Sequence, residues 1–157
     1  MIDKALKDKP VLRVPRTDVI RTAVTSPEWA AAIGRRLIAP YPARSFESAL
    51  SIQSIQSLQA TALQGQRHVT IVQVDESLLE AACQLGVENS VSLAPGLLLA
   101  IGCGLQAPQR HGLRCSGVAA IFESFVELEA MEKVVSSYFK SLPEPQWSLE
   151  QQIAKSI

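Results

Sequence analysis

The sequence predicts an α+β fold: a predominantly helical domain with a small β-sheet and a long amphipathic helix in its C-terminal half. Three observations carry that expectation. Helix-start and helix-stop signals recur along the chain. A wide apolar face, Ile121, Phe122, Phe125, Leu128, Met131, Val135, Phe139 and Leu142, repeats at helical spacing over 118–142. The clearest strand is the alternating, β-branched run His68–Val74.

The elements follow in order. Residues 1–10 read as a charged N-terminal arm ending at Pro10, ahead of one globular domain over 11–157. Val11–Val14 offers a short strand that Pro15 confines to an edge. Thr17–Val24 suggests a short helix. Ser26-Pro27-Glu28 then opens a helix with a serine cap, a proline in the first turn and an early carboxylate; Pro40 and Pro42 end it. Ser45 opens a further helix, expected to run to about Gln64 and stop at Gly65. It carries a Ser-Ile/Leu-Gln triplet repeat whose apolar residues spiral around the cylinder.

Asp75 caps a helix over 76–85, closed by Gly86. Leu97–Ile101 is an apolar run compatible with a buried strand or a helical turn. Residues 102–117 read as loop, followed by the long 118–142 helix. A last helix starts at the capping box Ser148-Leu149-Glu150-Gln151.

A chain of 157 residues buries a core without needing a disulfide or metal staple. Its charged fraction, 19%, is below the usual value of about 25%, which leaves it short of solvating charge. The first fifteen residues lack the apolar core of a secretory signal. The uncharged stretch 89–109 is broken by Pro95, Gly96, Gly102 and Gly104, which argues against a membrane span. Three cysteines without tight spacing fit reduced thiols and a cytoplasmic setting.

Charge is unevenly distributed. Residues 1–44 hold nine basic against four acidic groups, and the remainder carries the compensating excess of acid. Arg13, Arg16, Arg35 and Arg36 are therefore candidate binding residues, for an acidic protein surface or for nucleic-acid phosphates. Two short helices flanking Thr25-Ser26-Pro27 superficially suggest a helix-turn-helix, although the glycine of the usual turn is missing.

The densest reactive segment is 102–115. Gly102-x-Gly104-x-x-Ala107 follows an apolar run as a dinucleotide fingerprint would, but Pro108 and Gly112 favour a plain turn, and no cofactor is expected. Cys103, His111 and Cys115, with Cys83 or His68 as a fourth ligand, are candidate zinc ligands that lack the closely spaced pair structural sites prefer. Cys115 and His111 are the catalytic candidates, because Cys115 would stand at the start of the long helix with Arg110 and Arg114 nearby. The simpler alternative is an inert thiol.

Taken together, the sequence favours a non-enzymatic protein-interaction module, a subunit or adaptor of a larger assembly. It would self-associate or bind a partner through the charge-poor segments 45–66 or 89–109. A nucleic-acid-binding protein and a small thiol- or metal-dependent enzyme are the alternatives.

Overall fold

The computed structural model describes residues 17–49, 51, 52, 54, 55, 66–91 and 96–141. Its centre is a sheet of five parallel strands: β1 (Thr17–Ala23), β2 (Arg44–Ser48), β3 (Gln66–Val74), β4 (Leu97–Gly102) and β5 (Ala120–Phe122). They lie in the order β2-β1-β3-β4-β5. The helices are α1 (Pro27–Ile33, continuing as a π-turn over Gly34–Ile38), α2 (Leu79–Ser90), α3 (Ala107–Ser116) and α4 (Leu128–Ser141). Helices cover both faces. This is a doubly wound α/β sandwich and not the predominantly helical α+β domain expected from the sequence.

The register assigns each side chain to a face. Val19, Arg21 and Ala23 lie level with His68, Thr70 and Val72, and Thr70 and Val72 with Leu98 and Ala100. On that face Val72, Leu98, Ala100 and Ile121 pack with Ala82 and Leu85 of α2, Leu113 of α3, and Ile52 and Ile55. The opposite face presents Ile20, Val69, Ile71, Leu99 and Ile101. These pack against Trp29, Ile33 and Leu37 of α1 and its extension, and against Met131, Val135 and Phe139 of α4. Each fully buried aliphatic side chain contributes about 1.5–3 kcal/mol of transfer free energy.

The failed reading of β1 has a clear cause. A parallel strand buried on both faces need not alternate, so period-two patterning does not mark it. Thr17–Val24, expected to be helical, is for all but its last residue the interior strand β1, and it buries Asp18, Arg21 and Thr22 beside Val19 and Ile20. Ser45, expected to open a helix, sits in edge strand β2. The expected 118–142 helix is β5, a turn of 3₁₀ helix (Phe125–Glu127) and then α4. Ser124 marks the true boundary, its Oγ accepting from Val126 N at 3.2 Å.

Residues 107–116, read as loop, form α3. Pro108 occupies its first turn, where its missing N–H costs nothing, and Gly117 at φ +117° ends it. α2 runs past Gly86 to Ser90. Leu97–Ile101 resolves as strand. Within the charge-poor segment 89–109, Leu98–Ile101 are buried in the sheet between β3 and β5. The arm, Val11–Val14, most of the triplet repeat and the helix expected from Ser148 lie outside the described residues.

Candidate functional site

In a parallel sheet with this order the connection leaving β1 runs one way and that leaving β3 the other. A crevice forms at the carboxyl ends of these two strands, and ligands of doubly wound folds bind there. Val24, Thr25 and Ser26 follow β1, Asp75 follows β3, Cys103 and Gly104 follow β4, and Glu123 and Ser124 follow β5.

Gln73, the penultimate residue of β3, fills the switch point. Its Oε1 accepts from Thr25 N at 3.0 Å and Ser26 N at 2.9 Å. Its Nε2 donates to Cys103 Sγ at 3.4 Å. One amide side chain therefore ties the β1 loop to the β4 loop. Cys103 N in turn donates to Val74 O at 2.9 Å, completing the junction.

The polar groups around this crevice are already engaged. Asp75 Oδ1 accepts from Ser77 Oγ at 2.6 Å and Leu78 N at 3.0 Å, capping the next helical turn. The Ser77 hydroxyl foremost, helped by backbone amides, holds the exposed Asp75 carboxyl below its ordinary range. Glu28 is likewise held low, first by its own backbone amide and then by Ser26 Oγ, which donates to its Oε2 at 3.0 Å. Glu123 pairs with Arg110 at 2.6 Å. The amides at the start of α3, which could hold a phosphate, are occupied by a reciprocal Gln106–Gln109 capping box.

The sequence candidates are dispersed. Cys103 is exposed at the strand ends beside Gln73, whereas Cys83, on α2, is half-buried against the core. Cys115 and His111 do meet, Sγ to Nε2 at 3.4 Å on the outside of α3. Cys115 lies in the last turn of α3, however, and not at a helix start. The amide-end field invoked to favour a thiolate is absent there. Among the described residues no three His, Cys, Asp or Glu side chains are grouped to hold a metal, so Cys103 does not join the His111–Cys115 pair.

Arg35 is exposed on the π-turn, and Arg36 Nε pairs with Glu132 Oε2 at 3.1 Å. Arg13 and Arg16 lie outside the described residues. Gln73 was missed in the sequence. Its signal, a polar side chain at the end of an apolar parallel strand, has meaning only once the strand order is known.

A second polar group lies deeper, within β1 and β3. Arg21, 6% exposed, pairs through Nε with Glu47 Oε2 at 2.9 Å. His68 is 6% exposed, and burial foremost, reinforced by the Arg21 charge and opposed by Glu47, pushes its imidazole down. Arg21 Nη1, His68 Nε2 and Thr70 Oγ1 are buried without a hydrogen-bond partner among the described residues.

Apolar surface is exposed beside the strand-end crevice. Phe125 stacks on Trp29 with ring centroids 4.5 Å apart and still remains 48% exposed; Val126 is 89% exposed. Phe125 borders a groove of about 680 Å³ whose wall is Pro27, Ala31 and Ala32 on one side and Phe125 and Leu128 on the other. Glu28 and Arg35 stand along the same groove. No helix among the described residues is long and apolar enough to cross a membrane.

No protein-family model matches the chain, and no curated protein matches it. Solved structures do match in fold. A response regulator from Thermotoga maritima superposes with a TM-score of 0.57 at 12% identity, covering 80% of this chain and 99% of that one. A LuxR family DNA-binding response regulator from Silicibacter pomeroyi gives 0.59 at 12% identity, covering 80% and 97%. A CheY-like protein (tadZ) from Pseudomonas aeruginosa PAO1 gives 0.56 at 14% identity, covering 83% and 98%. At these identities the likeness establishes the fold, CheY-like and flavodoxin-type, which overturns the helical α+β expectation.

Proposed function

We propose that this CheY-like chain is a non-catalytic protein-interaction module, a cytoplasmic adaptor or subunit that engages a partner through the groove between α1 and the start of α4. The observation that carries the reading is the contrast between two neighbouring surfaces. The strand-end crevice is closed by Gln73 and ringed by carboxylates already committed to caps and an ion pair. Beside it, Phe125 remains exposed along an apolar groove, and Val126, its exposed neighbour in sequence, adds to the apolar surface. That the structural neighbours include proteins described as response regulators agrees with a signalling or assembly context.

The groove also suggests what the partner looks like. Glu28 and Arg35 are seven residues apart on α1, about 10 Å along the helix axis. An amphipathic protein segment with apolar anchors would suit it, provided a basic group meets Glu28 and an acidic group meets Arg35. Phe125 is the anchor of this side, since a half-exposed aromatic over a pocket is a common hot-spot chemistry.

The test is affinity capture from the native host with wild-type chain and with Phe125→Asp and Val126→Glu, both checked for an unchanged fold by circular dichroism. A partner retained by wild type and lost at least tenfold by both variants supports the reading. Equal capture by all three removes the groove from the function. Turnover of a small molecule dependent on residues at the strand ends would overturn the non-catalytic assignment.

A further inference from the structure

We propose that His111 and Cys115 form half of a binding site for a thiophilic divalent cation of the zinc class, completed by the same pair from a second copy of this chain. The two exposed side chains are one turn apart on the outer face of α3, with Nε2 3.4 Å from Sγ. Zinc bonds of about 2.3 Å to thiolate and 2.0–2.1 Å to imidazole, at the tetrahedral angle, require a sulfur–nitrogen edge of about 3.6 Å. The pair already stands within about 0.2 Å of that bite. Paired ligands four residues apart on one helix face are an established chelating arrangement.

Cys115 is in the final turn of α3, at the carbonyl end of the helix dipole, with Arg114 beside it in sequence. On binding, the thiol releases its proton to solvent and the thiolate bonds to the metal. Two such thiolates offset the dication, so the shared cluster adds no net charge between the copies.

The site is incomplete in one chain. Among the described residues no third ligand joins the pair, and a closed zinc site needs four. The neighbouring positions on the same face, one turn back from each ligand, are Ala107, Pro108 and Gly112. They are short, and a Cβ built at Gly112 would meet nothing within 4 Å, so a second helix can approach the ligands. Two copies related by a two-fold axis would supply a Cys₂His₂ set, and each helix would contribute one identical half.

Cobalt(II) titration of the full chain under reductant is the direct test. The expected result is a sulfur-to-cobalt charge-transfer band that saturates at one metal per two chains. Cobalt should also double the sedimenting mass relative to Cys115→Ser at the same metal concentration. Cys115→Ser and His111→Gln should remove the band, whereas Cys83→Ser and Cys103→Ser should leave it. No band in wild type, a band that survives Cys115→Ser, saturation at one metal per chain, or a mass that cobalt does not change would each overturn the proposal.

Discussion

Replacing Gln73 with alanine removes a side chain that joins the β1 and β4 loops. Two hydrogen bonds from Thr25 N and Ser26 N are lost, together with the contact to Cys103 Sγ. A net hydrogen bond is worth about 0.5–1.5 kcal/mol. Thr25 is exposed and Ser26 half-buried, so water can replace the acceptor and the penalty for an orphaned buried donor does not apply in full. The two amide bonds therefore sum to about 1–3 kcal/mol, and at roughly 2–4 °C per kcal/mol for a domain of this size Tm falls by about 2–12 °C. Gln73→Glu keeps an acceptor for both amides and loses only the donation to sulfur, so it should retain most of the stability.

Urea and thermal melts give the energies, and amide hydrogen exchange locates them. Thr25 and Ser26 should exchange faster in Gln73→Ala and remain close to wild type in Gln73→Glu. If Gln73→Ala melts like wild type with unchanged exchange at those two amides, the bridge is not what closes the crevice. The account of the strand-end site then fails.

Two further outcomes follow from the buried group around His68. Its pKa is lowered in the folded chain, so neutral His68 contributes stability that is complete above the unfolded-state value near 6.5 and is lost as pH falls below it. Urea midpoints from pH 7.5 to 5 should therefore decline more steeply for wild type than for His68→Gln; parallel curves would refute the assignment. Gly96→Ala would drive a Cβ into the His68 ring and to 2.6 Å from the His68 backbone oxygen, while the bidentate Asn89 amide holds the Gly96 backbone in place at 2.7 and 3.0 Å. It should cost about 1–3 kcal/mol by overpacking, and a melt indistinguishable from wild type would show that ring and backbone both give way freely.

The local chemistry of several elements was legible in the chain itself. Ser26-Pro27-Glu28 specifies a helix start because cap, fixed φ and carboxylate act within one turn, and Ser26 Oγ does accept from Trp29 N at 3.3 Å. His68–Val74 reads as strand because its β-branched residues suit an extended backbone whatever it pairs with. The spacing of His111 and Cys115 likewise brings them together as soon as the segment is helical.

What only the tertiary structure decided is which segments pair, and with what order. Thr17–Ala23 becomes a strand because β2 and β3 take up its hydrogen bonds on both sides and its polar residues find buried positions, with Arg21 reaching Glu47 across the β1–β2 register. No window of sequence contains those partners. The role of Gln73 is hidden for the same reason: Thr25 and Cys103 lie 48 and 30 residues away and meet it only at the switch point. Long-range pairing sets the sheet, the sheet order sets the crevice, and the crevice gives an otherwise ordinary glutamine its position.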